Sequence, residues 1–252
     1  MESLRKPFQG TINIIRFNWH FYVIAVLFVV SLLFSLQFLT ELYRSYLLVF
    51  ICLASTSTIL SLLASLYVYD LSNLYSLDWI LKNGNEKQII NINAGFDETS
   101  EILQKLFSHS KLQALDFYDS EKHTEISIER ARKAYKPYPN TKKIQSDSLG
   151  LEKNSIDKIF VILSAHEIRD NKERVIFFKE LKKILAADGQ IYVTEHLRDW
   201  KNFIAYNIGF FHFYSKKSWL KVFTDADLNL VQEINITPFI KNFVLEKNGN
   251  TT

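Results

Sequence analysis

Cysteine is almost missing from this chain. Cys52 is the single one among 252 residues, which excludes a disulfide framework and any zinc centre built on thiolates. Glycine is scarce too, with seven residues, about 3% where about 7% is usual. Neither GxxxxGK[ST] nor GxGxxG occurs, so no standard loop cradles a nucleotide phosphate. GxSxG, a mark of serine hydrolases, is absent as well. His166-Glu167 lacks the second histidine of a zinc-protease motif, because position 170 is Asp. With six scattered histidines, no metal is expected. A surplus of one charge sign is also lacking. Thirty basic residues meet 27 acidic ones, a balance too even for nucleic acid to be the main partner.

Charge itself disappears from two stretches, 17–40 and 45–69. As helices rising about 1.5 Å per residue, each would reach roughly 36 Å, and a bilayer core needs only about 20 residues. The break at 41–44 suits the tip of a helical hairpin. Aromatics mark the boundaries at Trp19, Tyr22, Tyr43, Tyr46, Tyr67 and Tyr69. Ser57, Ser61 and Ser65 form a stripe of small residues that lets membrane helices approach closely, as do Ser31 and Ser35. A cleaved signal peptide fits poorly, since the first run is too long and a second follows at once. Arg5, Lys6 and Arg16 precede the first run, whereas the tip offers only Arg44. The positive-inside rule puts both ends of the chain in the cytoplasm. The expected division is a cytoplasmic tail 1–16, a transmembrane hairpin 17–69, a linker 70–87, a globular domain 88–247 and a tail 248–252.

The globular part alternates short apolar runs with amphipathic segments. Strands are expected at Gln88–Asn93, 111–117, 141–147, 155–164, 190–195, 228–236 and 239–247, and helices at 97–107, 120–135, 172–187 and 216–226. Asp188-Gly189 is a stop signal for the third of these helices. Tyr118 and Lys122 make a YxxxK of the short-chain dehydrogenase type, but it stands after the second strand rather than beyond the fourth and reads as chance. Alternation of this kind implies an open, mostly parallel α/β sheet. Around Pro238 the last two strands adjoin with room only for a hairpin, so the final one runs antiparallel. Ligands of such sheets bind at the carboxyl ends of the strands.

The segments IININAGFDETSEIL, LQALDFYD, SIDKIFVILSAHEIRD, FFKELKKILAADGQIYVTEHLRDWKNFIAYNIGFFHFYS and ITPFIKNFVLEK, in this order and spacing, resemble a bacterial family of membrane-associated class I methyltransferases. The resemblance covers roughly 88–247. It implies a Rossmann-like domain, S-adenosylmethionine as cofactor and methyl transfer, without naming the acceptor.

Site residues follow by position. In the first loop Asn91, Asn93 and Gly95 are cofactor-binding candidates. Asn91 replaces the family's usual acid, and Asp97 a late glycine. Asp97 and Glu98 would repel a pyrophosphate but suit a cofactor bearing a sulfonium and an ammonium. Asp97 is equally a helix cap. Asp116 closes the second strand, where a carboxylate accepts ribose hydroxyls, with Asp119 as its competitor. Asp147 resembles the residue that meets the adenine amino group, or is an ordinary turn residue. After the fourth strand come Ser164, a cofactor candidate, and His166 and Glu167, the catalytic candidates. His166 would take the proton of a hydroxyl acceptor, with Glu167 orienting it or serving instead. Arg169, Glu195, His196, His212 and Tyr214 are assigned to the acceptor pocket. The loop 195–199 is alternatively held only by an Arg–Asp pair. The aromatic run 203–214 reads as an apolar lid, a surface resting on lipid, or core packing.

The expected protein is thus a methyltransferase anchored in a bacterial inner membrane with its catalytic domain facing the cytoplasm. Its expected partners are the bilayer and a small lipophilic acceptor, methylated on a hydroxyl by preference. The alternative is a methyltransferase-like module that binds without catalysing.

Overall fold

The computed structural model of the chain describes residues 5–122 and 125–248. Most of the expected tail 248–252 and two residues of the expected helix 120–135 lie outside that range. Three helices come first: α1 (Gln9–Phe17), α2 (Trp19–Ser35) and α3 (Glu41–Leu66). A short 3-10 turn follows α2, and a π-helical turn, Tyr67–Leu71, continues α3. Trp19–Phe38 and Glu41–Leu71 are long and apolar enough to cross a membrane. No residue of α2 is buried, and in α3 only Ile51, Ala64 and Ser65 are.

The globular part contains β1 (Gln88–Asn93), α4 (Ser100–Leu106), β2 (Lys111–Asp116), α5 (Ile126–Ala134), β3 (Lys142–Lys143), β4 (Ile156–Ile162), α6 (Asn171–Ile184), β5 (Leu185–His196), α7 (Trp200–Tyr206), α8 (Lys216–Asp225), β6 (Leu228–Asn235) and β7 (Ile240–Lys247). The strands form one sheet in the order β3-β2-β1-β4-β5-β7-β6. β1 to β5 pair in parallel, and β7 is inserted antiparallel between β5 and β6.

Side chains alternate across the strands with period two. Ile90, Ile92, Ile159, Val161, Ile191 and Val193 share one core with Phe177, Phe178 and Leu181 of α6 and Trp219 and Phe223 of α8. Ile89, Phe160, Tyr192 and Val244 face the other way, against Leu103 of α4 and Leu77 and Ile80. Each fully buried Leu or Phe contributes about 1.5–3 kcal/mol. Residues 70–87 are therefore not a linker, since Leu74 and Leu77 are wholly buried. The tail 1–16 is likewise corrected: its second half is α1, whose Gly10, Asn13 and Phe17 are buried.

Other elements differ from expectation in extent. α6 ends at Ile184 and the chain passes straight into β5. Ile156 pairs with Leu185, while Lys158 pairs with Gln190. The surplus residues bulge, and Gly189 fits because a Cβ there would lie 2.9 Å from the Ile156 carbonyl oxygen. The expected strand 141–147 shrinks to two residues, because only Leu115 and Asp116 of β2 are available to pair with it. The helix expected over 97–107 begins at Ser100.

Candidate active site

The carboxyl end of β1 opens into a loop held by its own side chains. Asn91 is buried and donates to Thr99 Oγ1 and Ser100 Oγ, both at 2.9 Å, and to Asp97 Oδ1 at 3.2 Å. Asp97 Oδ1 also accepts from the Thr99 and Ser100 amides at 3.0 and 2.9 Å, so Asp97 caps α4 from outside it. Asn93 Oδ1 accepts from the Gly95 amide at 2.9 Å. Gly95 has φ +96, and a Cβ there would come within 2.5 Å of Arg132 Nη1, so both conformation and space require glycine. Asn93 Nδ2 and Asp97 Oδ2 are buried without a partner.

Two neighbouring hollows meet at this loop. A cavity of about 230 Å³ is lined by Asn91, Asn93, Phe96, Leu163, His166, Glu167, His196 and His212. A smaller one, about 140 Å³, is lined by Gly95, Asp97, Asp116, Arg132 and Lys143. Asn93 and Phe96 belong to both. Asp116 is buried. One of its oxygens accepts from the Tyr118 amide at 2.9 Å and the other from Arg132 at 2.6 Å.

α1 roofs the larger cavity with Asn13, Ile14 and Phe17. Its first turn is capped by Asp70, whose carboxylate accepts from the Gly10 and Thr11 amides at 2.8 Å each. Gly10 lies against the π turn so closely that a Cβ would be 2.4 Å from Tyr69 Cβ. Arg5 pairs with Glu98 at 2.8 Å, and Asn13 accepts from the Tyr135 hydroxyl at 2.9 Å. Tyr69, beyond the second apolar helix, lines the cavity and bonds His196 Nε2 at 2.9 Å. None of these roles was visible in the sequence. An amphipathic turn of helix gains meaning only when its partner surface is known.

At the end of β4, Leu163 takes a left-handed conformation, φ +51. A 3-10 turn, Ala165–Glu167, follows and turns His166 and Glu167 toward the cavity. Glu195 of β5 is completely buried and accepts from His166 Nδ1 at 2.6 Å. His166 Nε2 lies 3.2 Å from Glu167 Oε1, and His212 Nε2 lies 3.4 Å from the same oxygen. His212 Nδ1 is 2.7 Å from Glu125. The six histidines are thus not all scattered. His166, Glu167 and His212 offer ligand atoms within 4.8 Å of one another and are capable of holding a metal ion.

The charges of this cluster are strongly biased. Burial alone would lower the His166 pKa, but Glu195 and Glu167 outweigh it and raise it to about 10. Burial alone would raise the Glu167 carboxyl, but the two histidines pull it far below the usual range. Glu125 is lowered by His212 and Arg169 against its own burial. Both carboxylates thus favour the protonated ring at His166, the expected general base. His196 differs: burial lowers its pKa to about 4, and it is a neutral ring between Tyr69, Asn202 and a stacked Phe213.

The other expected site residues divide. Ser164 ties β4 to β1 by donating to the Ile92 carbonyl at 2.9 Å. Arg169 Nη1 donates to the His212 carbonyl at 2.7 Å and Tyr214 donates to the Arg169 carbonyl at 3.2 Å. Arg169, Glu195 and Tyr214 are therefore supports behind the cavity rather than part of its lining. Asp147 is exposed in the turn between Gln145 and Ser148, away from both hollows. Its expected place depended on a full-length third strand. Trp200, Phe203, Ile204, Ile208 and Phe211 are exposed, which removes core packing as the explanation of that part of the aromatic run. α7, which carries the first three, packs beside α3.

No protein-family model matches the sequence, and no curated protein does either. Solved structures do match in shape. A SAM-dependent methyltransferase from Aquifex aeolicus is 15% identical over 75% of this chain and 97% of its own, with a TM-score of 0.51. An O-methyltransferase family 2 protein from Planctomyces limnophilus, solved with apigenin, is 12% identical over 76% of this chain and 62% of its own, with a TM-score of 0.51. The fold is the class I methyltransferase fold.

In that fold the two hollows stand where a cofactor is sought, at the carboxyl ends of the parallel strands. The donor set suits S-adenosylmethionine. Asn93 Nδ2 and Asp97 Oδ2 are a buried donor and a buried acceptor left without partners, matching a ligand that carries both a carboxylate and an ammonium. Asp116, the expected partner of the ribose hydroxyls, ends β2 and is paired with Arg132.

Proposed function

We propose that the chain is a membrane-anchored, S-adenosylmethionine-dependent methyltransferase acting on a small lipophilic acceptor, with a hydroxyl preferred. One observation carries this reading. The cavity beside the cofactor loop is walled by the flanks of the apolar hairpin itself, with Asn13 and Phe17 before it and Tyr69 at its end. The exposed apolar side chains of 200–211, beside α3, continue that apolar surface and favour a bilayer under this face. The positive flank at Arg5, Lys6 and Arg16 favours a globular domain on the cytoplasmic side of a bacterial inner membrane.

When bound, S-adenosylmethionine supplies an electrophilic methyl group. The chain's task is then positioning. Asn93, Asp97 and Asp116 hold the polar ends of the cofactor. Ile14, Phe17, Phe96, Ile162 and Leu163 give the acceptor an apolar wall and exclude water. The carboxylates of Glu167 and Glu125 accept the O–H of the acceptor and orient its oxygen. The released proton has its shortest way to solvent on the Glu125 side, where that side chain is 39% exposed against 6% for Glu167 and none for Glu195.

Calorimetric titration of S-adenosylmethionine and S-adenosylhomocysteine into the full chain in detergent tests this. Saturable binding that Asp116→Asn weakens supports the reading, and labelled methyl transfer to a membrane extract then finds the acceptor. A folded chain that binds neither compound refutes it.

The Arg132–Asp116 pair favours one second reading, a module in which the ribose carboxylate is permanently occupied. Cofactor binding absent from the wild type and gained in Arg132→Ala would select it.

A further inference from the structure

We propose that His166, Glu167 and His212 form a site for one first-row divalent transition-metal ion at the floor of the cavity. The geometry is that of a ligand set. Ligands about 2.0–2.2 Å from a tetrahedral ion are spaced about 3.3–3.6 Å apart. Glu167 Oε1 lies 3.2 Å from His166 Nε2 and 3.4 Å from His212 Nε2. Two imidazole nitrogens converge on one carboxylate oxygen, an arrangement that either two N–H donors or one shared cation satisfies. The outer shell is also in place. Glu195 holds Nδ1 of His166 at 2.6 Å and Glu125 holds Nδ1 of His212 at 2.7 Å. A carboxylate behind each histidine fixes the Nδ1–H tautomer and turns the Nε2 lone pair to the metal.

Three further facts bear on the occupant. The ligands come from two distant segments that only the fold unites, and all three line the cavity. Two imidazoles with one carboxylate suit zinc, iron, cobalt or manganese rather than magnesium or calcium, which favour all-oxygen shells. Three protein ligands leave positions open for a further oxygen. On the methyltransferase reading above, that oxygen belongs to the acceptor hydroxyl, whose acidity a bound cation raises. Arg169 is the rival cation. Its Nη2 lies 3.4 Å from Glu125 and 2.7 Å from His212 Nε2, and it also touches His212 Nδ1.

The test uses the full, tag-free chain in detergent after dialysis against chelator, titrated with Co²⁺ and followed by visible d–d absorption. One equivalent should bind with a low-symmetry spectrum and be displaced by Zn²⁺. His212→Ala and Glu167→Gln should abolish the spectrum, and Glu125→Gln should weaken affinity roughly 10–100-fold. Absence of binding to wild-type chain that unfolds cooperatively overturns the proposal. So does binding that His212→Ala and Glu167→Gln leave unchanged. A parallel S-adenosylmethionine titration keeps the two ideas apart. Metal binding without cofactor binding upholds the site and removes the cofactor reading, whereas cofactor binding without metal binding removes only the site.

Discussion

Buried charge occurs at both edges of the sheet, and the two places are built on opposite principles. At the amino edge of β4, Lys158 is all but inaccessible. It meets Glu86 at 3.5 Å, Gln190 at 3.0 Å and the Tyr192 hydroxyl at 3.4 Å. Glu86 in turn accepts from the amides of Asn83 and Gly84 at 2.7 and 2.9 Å. One cation faces one anion, and neutral groups fill the rest. At the carboxyl edge, three carboxylates converge on two histidines beside an open cavity. The first arrangement is closed and belongs to the fold. The second draws its partners from several segments, Arg169 included, and opens onto a cavity. Burial and charge alone do not separate structure from function; the balance of partners does.

The largest effect should come from opening the closed pair. Glu86→Gln leaves Lys158 charged in the core and should cost about 3–5 kcal/mol, read as a lowered unfolding midpoint with ligand affinity kept. Replacing both partners together, Glu86→Leu with Lys158→Met, should be neutral or stabilising by comparison. Acid should mimic the first variant. Burial alone would raise the Glu86 pKa, but the Asn83 and Gly84 amides and Lys158 lower it below its ordinary 4.5. Its stabilisation is complete above that value and is lost as pH falls through the folded-state value. A pH series of unfolding midpoints should therefore slope less in Glu86→Gln than in wild type.

At the carboxyl edge the loss should appear in binding. Asp116→Asn should weaken S-adenosylmethionine by roughly 10–100-fold, the value of a hydrogen bond or two to a charged group, with less change in unfolding than Glu86→Gln. An equal loss of stability in both variants would erase the contrast. Gly10→Ala probes the roof. Its methyl would strike Tyr69, at a cost of about 1–3 kcal/mol, with cofactor affinity falling alongside. The smallest effect is expected at Trp200. Quenching of tryptophan emission by brominated lipid should diminish in Trp200→Phe while the unfolding midpoint stays put.

The strands were legible because Gln88–Asn93 and the runs after it are apolar, short and bounded by turn residues. The closing antiparallel pair followed from Pro238. The third strand misled, since a run with strand-like composition pairs only where its neighbour offers backbone, and Asp147 was misplaced with it. His166, Glu167 and His212 were each legible as polar residues at a strand edge or loop. Their meeting was not, because 45 positions of chain separate Glu167 from His212 and only the sheet brings them together. The roof was the least legible part. Asn13 and Phe17 look like ordinary residues before a span until Tyr135, Phe96 and Glu98 are seen beneath them.

That roof also fixes an order of events during synthesis. α1 emerges before the groups that hold it from elsewhere in the fold: Asp70 on its first turn, then Glu98, then Arg130 on the Phe17 carbonyl and Tyr135 on Asn13. Both apolar helices must leave the ribosome before the first of those partners exists. A chain whose hairpin fails to return cannot bring Tyr69 and Asp70 beneath α1. The pocket is thus completed only on chains whose hairpin has closed.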